Sequence, residues 1–189
     1  ATLSAGVAVE LDHHLDGVAR LAGKLAAEHP QRGLIQRAAR QHDFGKAEAR
    51  FQTMLHGNQL SAAAGPVLAK SGLRKLSQIM AAYRESGLPK GFRHELASLA
   101  PVFSGQSEEL DELVRHLIAT HHGYGRPWFP ACADAQAPGV DLIQLGSGWG
   151  EAFAGLIARY GPWKLAGMEL LLRSSDVRQS IREQGERRV

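Results

Sequence analysis

The chain has 189 residues, of which 44% are hydrophobic and 22% charged, and its formal net charge of +3 permits a polyanionic partner. This length is enough for one well-packed domain and hardly for two, so residues 1–189 are predicted to form a single domain. No apolar run approaches the length of a membrane span, and the single cysteine, Cys132, excludes an internal disulfide, so we expect a cytoplasmic protein without a membrane partner.

Four segments carry apolar residues at three- and four-residue steps, which is the pattern of a helix with one buried face. They cover residues 11–25, 34–39, 110–118 and 165–172. His29 and Pro30 end the first helix, since the residue before a proline is disfavoured in the α region. Ser107 is the predicted N-cap of the third helix, which Gly123 ends. The last helix is predicted to extend over about residues 163–184.

The remaining segments carry weaker signals. A less regular apolar stripe over residues 67–80 is interrupted by Gly72. Stretches rich in glycine, proline, alanine and polar residues are predicted loops, at residues 58–66, 86–91 and 124–148. Because no segment shows sustained two-residue alternation, the predicted fold class is all-α, a compact helical bundle.

His42 and Asp43 stand side by side in the run Arg40-Gln41-His42-Asp43-Phe44-Gly45-Lys46. Such a pair offers a metal ion one neutral nitrogen and one carboxylate from a single turn of backbone. The carboxylate has two oxygens, so Asp43 could bridge two ions. A pair of metal ions is a common device for displacing a group at phosphorus.

Further histidine and aspartate side chains lie where apolar helix faces end. They are His14, His94, the pair His121-His122, and Asp176. On the first helix His14 shares the apolar stripe, whereas His13 is rotated by about 100° and is predicted to face solvent. A carboxylate that points into a core is costly unless a cation compensates it.

Each of these residues also has an ordinary interpretation. A lone histidine on an apolar face is more often a hydrogen-bonded core residue than a ligand, and a His-His pair before glycine suits a helix carboxyl terminus. Asp176 could pair with Arg173 or Arg178. Taken together, however, two inward carboxylates and five inward histidines lack an evident basic partner in the core, which predicts metal ions there. Imidazole-rich ligation favours the transition metals Mn, Fe, Co or Ni over Mg.

The order of the motifs resembles that of a known family, the HD nuclease domain of the type I CRISPR-associated helicase-nuclease. The matching residues are His14, His42-Asp43-Phe44-Gly45-Lys46, Phe51-Gln52, Arg93-His94-Glu95, His121-His122-Gly123, and Asp176 with Ser180. An HD pair alone is nonspecific, but this series in this order is highly specific. The resemblance implies a helical bundle that cuts single-stranded DNA with two divalent metal ions, as a hydrolase of antiviral defence.

The resemblance also implies roles for individual residues. One ion would be held by His14, His42, Asp43 and Asp176, and the second by His94, His121 and His122, with Asp43 bridging. Lys46 would act in catalysis by neutralising phosphate charge, and the other substrate-binding residues would be Arg93, Arg126 and Ser180. The implied partners are single-stranded DNA, a helicase domain or subunit, and the CRISPR RNA-guided surveillance complex. No segment resembles a Walker A loop, so we expect either an excised domain or a separate subunit.

Two other classes of function remain open at this point. An HD phosphohydrolase acting on nucleotides or cyclic nucleotides would use the same ligands in a closed pocket. A non-catalytic HD module would keep the fold for binding partners only. The segment from Gly123 to Trp128 favours a nuclease, since its arginine and aromatic rings are groups that track a single strand.

Overall fold

A computed structural model describes residues 7–58, 65–100, 110–127, 138–139, 141 and 146–185. Its α-helices are α1 (Leu11–Leu25), α2 (Arg32–Gln41), α3 (Ala49–Leu55), α4 (Leu76–Glu85), α5 (His94–Ala97), α6 (Glu112–Thr120), α7 (Trp149–Tyr160) and α8 (Pro162–Gly185). A 3-10 helix (Phe44–Ala47) follows α2, and β1 (Val9–Glu10) pairs antiparallel with β2 (Leu68–Lys70). The predicted all-α class is confirmed. None of the described helices is both long and apolar enough to cross a membrane.

The main core lies between the long helices, where the apolar stripes of α1, α2, α6, α7 and α8 meet. Its fully buried members include Val18, Ile35, Leu117, Leu165 and Leu172. Burial of each such side chain contributes roughly 1.5–3 kcal/mol. This core sets the relative positions of the helices that carry the predicted ligands.

The weak stripe at residues 67–80 does not form one buried helical face. Residues 68–70 form β2, which is too short to show an alternating pattern and is buried at every position. Leu76 and Met80 of α4 are 72% and 52% exposed. α4 instead buries Ala82 in a second cluster with Phe51 of α3. Sequence periodicity therefore failed to predict the buried face of α4, because this helix buries only one residue, Ala82.

Three predicted helix boundaries differ in the structure. α1 ends at Leu25, four residues before His29. α2 ends at Gln41, so His42 and Asp43 lie in the turn that leads to the 3-10 helix and not in the last turn of α2. The carboxylate of Asp111 caps α6 by accepting from the backbone N–H of Leu113 at 2.8 Å. The predicted cap Ser107 lies outside the described residues.

The helices α3 and α7 were not predicted. α3 has seven residues, fewer than the two turns that reveal a helical period. α7 buries only Trp149 and Leu156, so it carries no continuous apolar stripe. Of the predicted loops, residues 86–91 form turns, whereas much of 124–148 lies outside the described residues.

Candidate metal centre

The turn that carries the His-Asp pair is pressed against α5. A β-carbon on Gly45 would lie 2.1 Å from the backbone oxygen of His94, so only glycine fits at this position. The backbone N–H of Gly45 donates to the Ser98 hydroxyl at 2.8 Å. That hydroxyl in turn lies 2.8 Å from the carbonyl oxygens of both His42 and His94. Ser98 therefore ties two segments that each present a candidate ligand.

Gln52 holds the other side of this turn. Its side-chain amide donates to the backbone oxygens of Lys46 at 2.6 Å and Leu68 at 2.9 Å, and it accepts from the Leu68 N–H at 2.8 Å. The glutamine of the Phe51-Gln52 motif thus joins the 3-10 helix to β2. Its role in the structure is to position the turn and not to contact the centre directly.

One group of candidate ligands gathers around one oxygen of Asp43. Its Oδ2 lies 3.6 Å from Nε2 of His14 and 3.5 Å from Nε2 of His42. Asp176, on α8, places Oδ1 3.4 Å from the same nitrogen of His14. His14, His42 and Asp43 are completely or almost completely buried, so this group lies at the inner end of the centre.

A second group, the outer group, gathers around the other oxygen of Asp43. Its Oδ1 lies 3.0 Å from Nε2 of His94 and 3.7 Å from Nε2 of His121. The Nε2 atoms of His94 and His122 face one another at 3.1 Å. Asp43 therefore has one oxygen toward each group, and these two groups are suited to hold metal ions.

Three of the imidazoles have their orientation set by the nitrogen that faces away from the centre. Nδ1 of His42 donates to the Ala39 carbonyl at 2.8 Å, and Nδ1 of His121 donates to the Ile118 carbonyl at 2.6 Å. Nδ1 of His14 donates to Oε1 of Glu183 at 2.9 Å. In the neutral ring this arrangement leaves Nε2 without a proton and aimed at Asp43, as in a metal-ligating histidine.

The inward-facing atoms of this centre lack ordinary partners. Among the described residues, the buried side-chain atoms with no hydrogen-bond partner include Nε2 of His14, His42 and His121 and Oδ1 of Asp43. Leaving such groups unsatisfied costs about 1–3 kcal/mol each. A divalent cation at each of the two groups would satisfy these atoms, so the residues present fit metal ions.

The expectation that this core has no basic partner was wrong. Lys46 is 2% exposed, and its Nζ lies 2.5 Å from Oδ2 of Asp43. The 3-10 helix is the cause, since it brings residue 46 onto the same side as residue 43, three positions earlier. One ammonium group does not balance both Asp43 and Asp176, so the case for a further cation remains.

The electrostatics of the centre favour ionised carboxylates and a neutral His42 ring. Burial lowers the pKa of His14 and of His121, but the nearby carboxylates outweigh this effect and raise both above the usual value. Burial raises the pKa of Asp43, but Lys46 and the surrounding imidazoles outweigh this effect and hold it well below its usual value. Burial lowers the pKa of His42 to about 4, which keeps its ring neutral at pH 7. Burial also raises the pKa of Asp176, yet the contact of this carboxylate with His14 keeps that pKa below its usual range.

A buried ion pair behind His14 was not predicted. Glu183 accepts from Lys70 of β2 at 2.8 Å and from the Gln179 amide at 3.0 Å. Lys70 is 1% exposed and Glu183 is 4% exposed. Glu183 follows Asp176 by seven residues, so helical phase could have indicated it. Lys70 comes from a distant strand and gave no sequence signal.

The predicted substrate-binding residues occupy different environments. The guanidinium of Arg93 lies 4.1 Å from the ring centroid of Tyr124, beside the outer group of ligands. Arg126 is paired with Glu169, which also accepts from His116. Ser180 is 7% exposed and donates to Asp176 at 3.2 Å.

Comparison with known proteins supports one family. The family model described as "Cas3, HD domain" matches residues 4–184. Searches of the curated proteins and of the solved structures give no match. The match covers nearly all of the chain and all of the candidate ligands, so the chain belongs to the Cas3 HD-domain family, the metal-dependent nucleases of CRISPR systems.

Proposed function

We propose that this domain hydrolyses phosphodiester bonds of single-stranded DNA in type I CRISPR interference, with two divalent metal ions at the centre. The observation that carries the proposal is the position of Asp43, whose two oxygens face two separate groups of imidazoles. His14, His42 and Asp176 would complete one ion site with Asp43. His94, His121 and His122 would complete the other.

The residues of the chain have separable roles in this reaction. When bound, two divalent ions supply a water of lowered pKa and neutralise charge that develops on phosphate oxygens. Asp43 would contribute one oxygen to each ion site, and Lys46 adds a positive charge whose Nζ lies 2.5 Å from Oδ2 of Asp43. Three of the histidines are held by acceptors behind them, so they need little reorganisation. Their nitrogen donors favour Mn, Fe, Co or Ni over Mg.

The partners follow from the same proposal. Members of this family work with a CRISPR helicase and a DNA substrate. The helicase would supply the single strand, and guide pairing in the surveillance complex would choose the target. We therefore expect the domain alone to cut without strong sequence preference.

A nuclease assay separates this proposal from hydrolysis of free nucleotides. With Mn, Co or Ni present, purified protein is expected to cleave single-stranded DNA, to cleave intact duplex weakly, and to lose activity with chelator or high salt. Salt weakens phosphate attraction to the basic groups, which is general for nucleic-acid binding. Efficient turnover of nucleotides or cyclic nucleotides, with single-stranded DNA inert, would favour the phosphohydrolase instead.

The first helix offers a neighbouring pair of variants. His14 is 0% exposed and faces Asp43, whereas His13 lies on the exposed side of α1. Loss of a group that hydrogen-bonds to a metal ligand costs about 10–100-fold in metal affinity. Because His14→Ala removes the ligand itself, its metal affinity is expected to fall at least about 100-fold. His13→Ala should bind metal as the wild type does. Titration calorimetry with Mn measures both, and equal affinities would contradict the assignment of His14.

Glu183 is expected to act as a positioning residue through His14. Glu183→Gln removes the charge of the group that accepts from Lys70 and from the His14 imidazole. The orientation of His14 should then be less well fixed, so metal affinity should fall about 10–100-fold. Glu169→Gln is the matched control, because Glu169 accepts from His116 at 2.7 Å outside the candidate centre. A normal metal affinity in Glu183→Gln would show that this contact serves stability only.

A further inference from the structure

We infer that a cleft beside His94 and His122 binds one unpaired nucleobase of the DNA strand, next to the phosphate held at the metal centre. This inference rests on the proposed function and names the part of the substrate that the site recognises. The cleft has a volume of about 530 Å³ and is lined by both of these histidines. It therefore begins where the outer group of ligands ends.

The walls of the cleft are aromatic. The ring centroid of Phe92 lies 5.9 Å from that of Phe51, which lies 5.5 Å from that of His94. Phe51 is buried, whereas Phe92 is half-buried and Tyr124 is 44% exposed. Phe92 and Tyr124 thus offer ring surface within the cleft, and planar bases of any sequence stack on such surfaces.

Positive groups accompany these rings. Arg93 stacks on Tyr124, and the exposed side chain of Arg173 lines the same cleft. The aromatic rings and arginines of the cleft match the two parts of a nucleotide, a planar base and an anionic phosphate. A base seated against the rings would leave its phosphates near the arginines and the metal centre.

Two polar groups of the cleft, those of Tyr83 and Glu95, are already engaged, which favours little discrimination between bases. The Tyr83 hydroxyl donates to the carbonyl oxygen of Pro89 at 3.1 Å. Glu95 is 3% exposed and pairs with Arg93 at 3.7 Å. A pocket specific for one nucleotide would need polar groups directed at the base edge.

This cleft also accounts for the expected preference for single strands. A base in a duplex is already paired and stacked, and it must be extruded before it can enter a pocket. A base in a single strand has no such barrier. The cleft would therefore discriminate against duplex DNA at the step of binding, independently of the metal ions.

The test combines base removal in the DNA with ring removal in the protein. Single-stranded oligonucleotides carry one abasic site, moved stepwise past the cleavage position, and kcat/KM is measured for each. The wild type should lose about 10-fold at one position, because one stacking contact is missing. Phe92→Ala and Tyr124→Ala should each lower kcat/KM on intact DNA and respond less to the abasic site. Trp163→Ala is the control, since Trp163 is 88% exposed and does not line the cleft.

A binding measurement separates this inference from the proposed function. Fluorescence anisotropy compares intact and fully abasic strands, with metal content checked in every variant. The cleft assignment would be overturned if the abasic site left kcat/KM unchanged in both the wild type and Phe92→Ala, and if intact and abasic strands bound with equal Kd. That result would not contradict the nuclease activity. Base-dependent binding that Phe92→Ala and Tyr124→Ala abolish, without cleavage by the wild type, would support the cleft and contradict the nuclease.

Discussion

Replacing Asp43 with asparagine is expected to reduce DNA cleavage at least about 1,000-fold and to remove bound metal, because one side chain faces both groups of ligands. An amide keeps the shape of the carboxylate but not its charge. It also presents an NH₂ group where one of the two oxygens now faces imidazole nitrogens. The measurements are the rate of single-stranded DNA cleavage and the metal content of the purified protein.

This variant has a second effect that must be separated from the first. Lys46 is 2% exposed, so Asp43→Asn leaves its charge buried without a carboxylate. Breaking a buried ion pair in this way costs about 3–5 kcal/mol of unfolding free energy. The double variant Asp43→Asn with Lys46→Met should recover stability and remain inactive. Asp12→Asn is a surface control, since that side chain is 85% exposed.

Retention of the wild-type rate and full metal content in Asp43→Asn would contradict the assignment of Asp43 as the shared ligand. Recovery of cleavage in the double variant would show that the single variant failed through instability. Chemical denaturation of each protein measures the two contributions separately.

Gly45→Ala is expected to destabilise the fold by at least about 3 kcal/mol, because its β-carbon would lie 2.1 Å from the His94 oxygen and 2.6 Å from the Ser98 nitrogen. Both are backbone atoms of or next to α5, and they cannot move aside as a flexible side chain can. Relief of the clash would push the His-Asp turn away from α5. The expected result is therefore a lower denaturation midpoint together with weakened metal binding.

Gly33→Ala is the matched control for this change. A β-carbon on Gly33 would meet no atom within 4 Å, and the residue lies within α2. Alanine is favoured over glycine in a helix by about 1 kcal/mol, so Gly33→Ala should be neutral or slightly stabilising. Equal stability of the Gly45→Ala and wild-type proteins would mean that the turn can separate from α5 without cost.

Several features of the centre were accessible from local pattern alone. The helical period placed His14 on the buried side of α1 and His13 on the exposed side, and the structure confirms both positions. The order of motifs indicated the family that the comparison confirms. The all-α class followed from repeated apolar stripes. The helical stripes depend on residues within a few turns of one another, and the motif order depends only on sequence position.

The positions of the charged partners depended on tertiary structure. The core was expected to hold no basic partner, yet Nζ of Lys46 lies 2.5 Å from Oδ2 of Asp43, because a 3-10 helix follows α2. The pair of Lys70 and Glu183 joins residues 113 positions apart. No periodicity within one element can indicate such a contact.

The cleft is likewise a product of packing. Its phenylalanine and tyrosine residues come from α3, from α4, from the segment before α5 and from the turn after α6. Of these residues, only Phe51 belongs to the motifs that indicated the family. Short-range repetition was sufficient for the four helices with regular apolar stripes, α1, α2, α6 and α8, and motif order was sufficient to name the candidate ligands. The tertiary fold decided which oxygen of Asp43 faces which imidazole and where the cleft lies, because those distances depend on how separate helices meet.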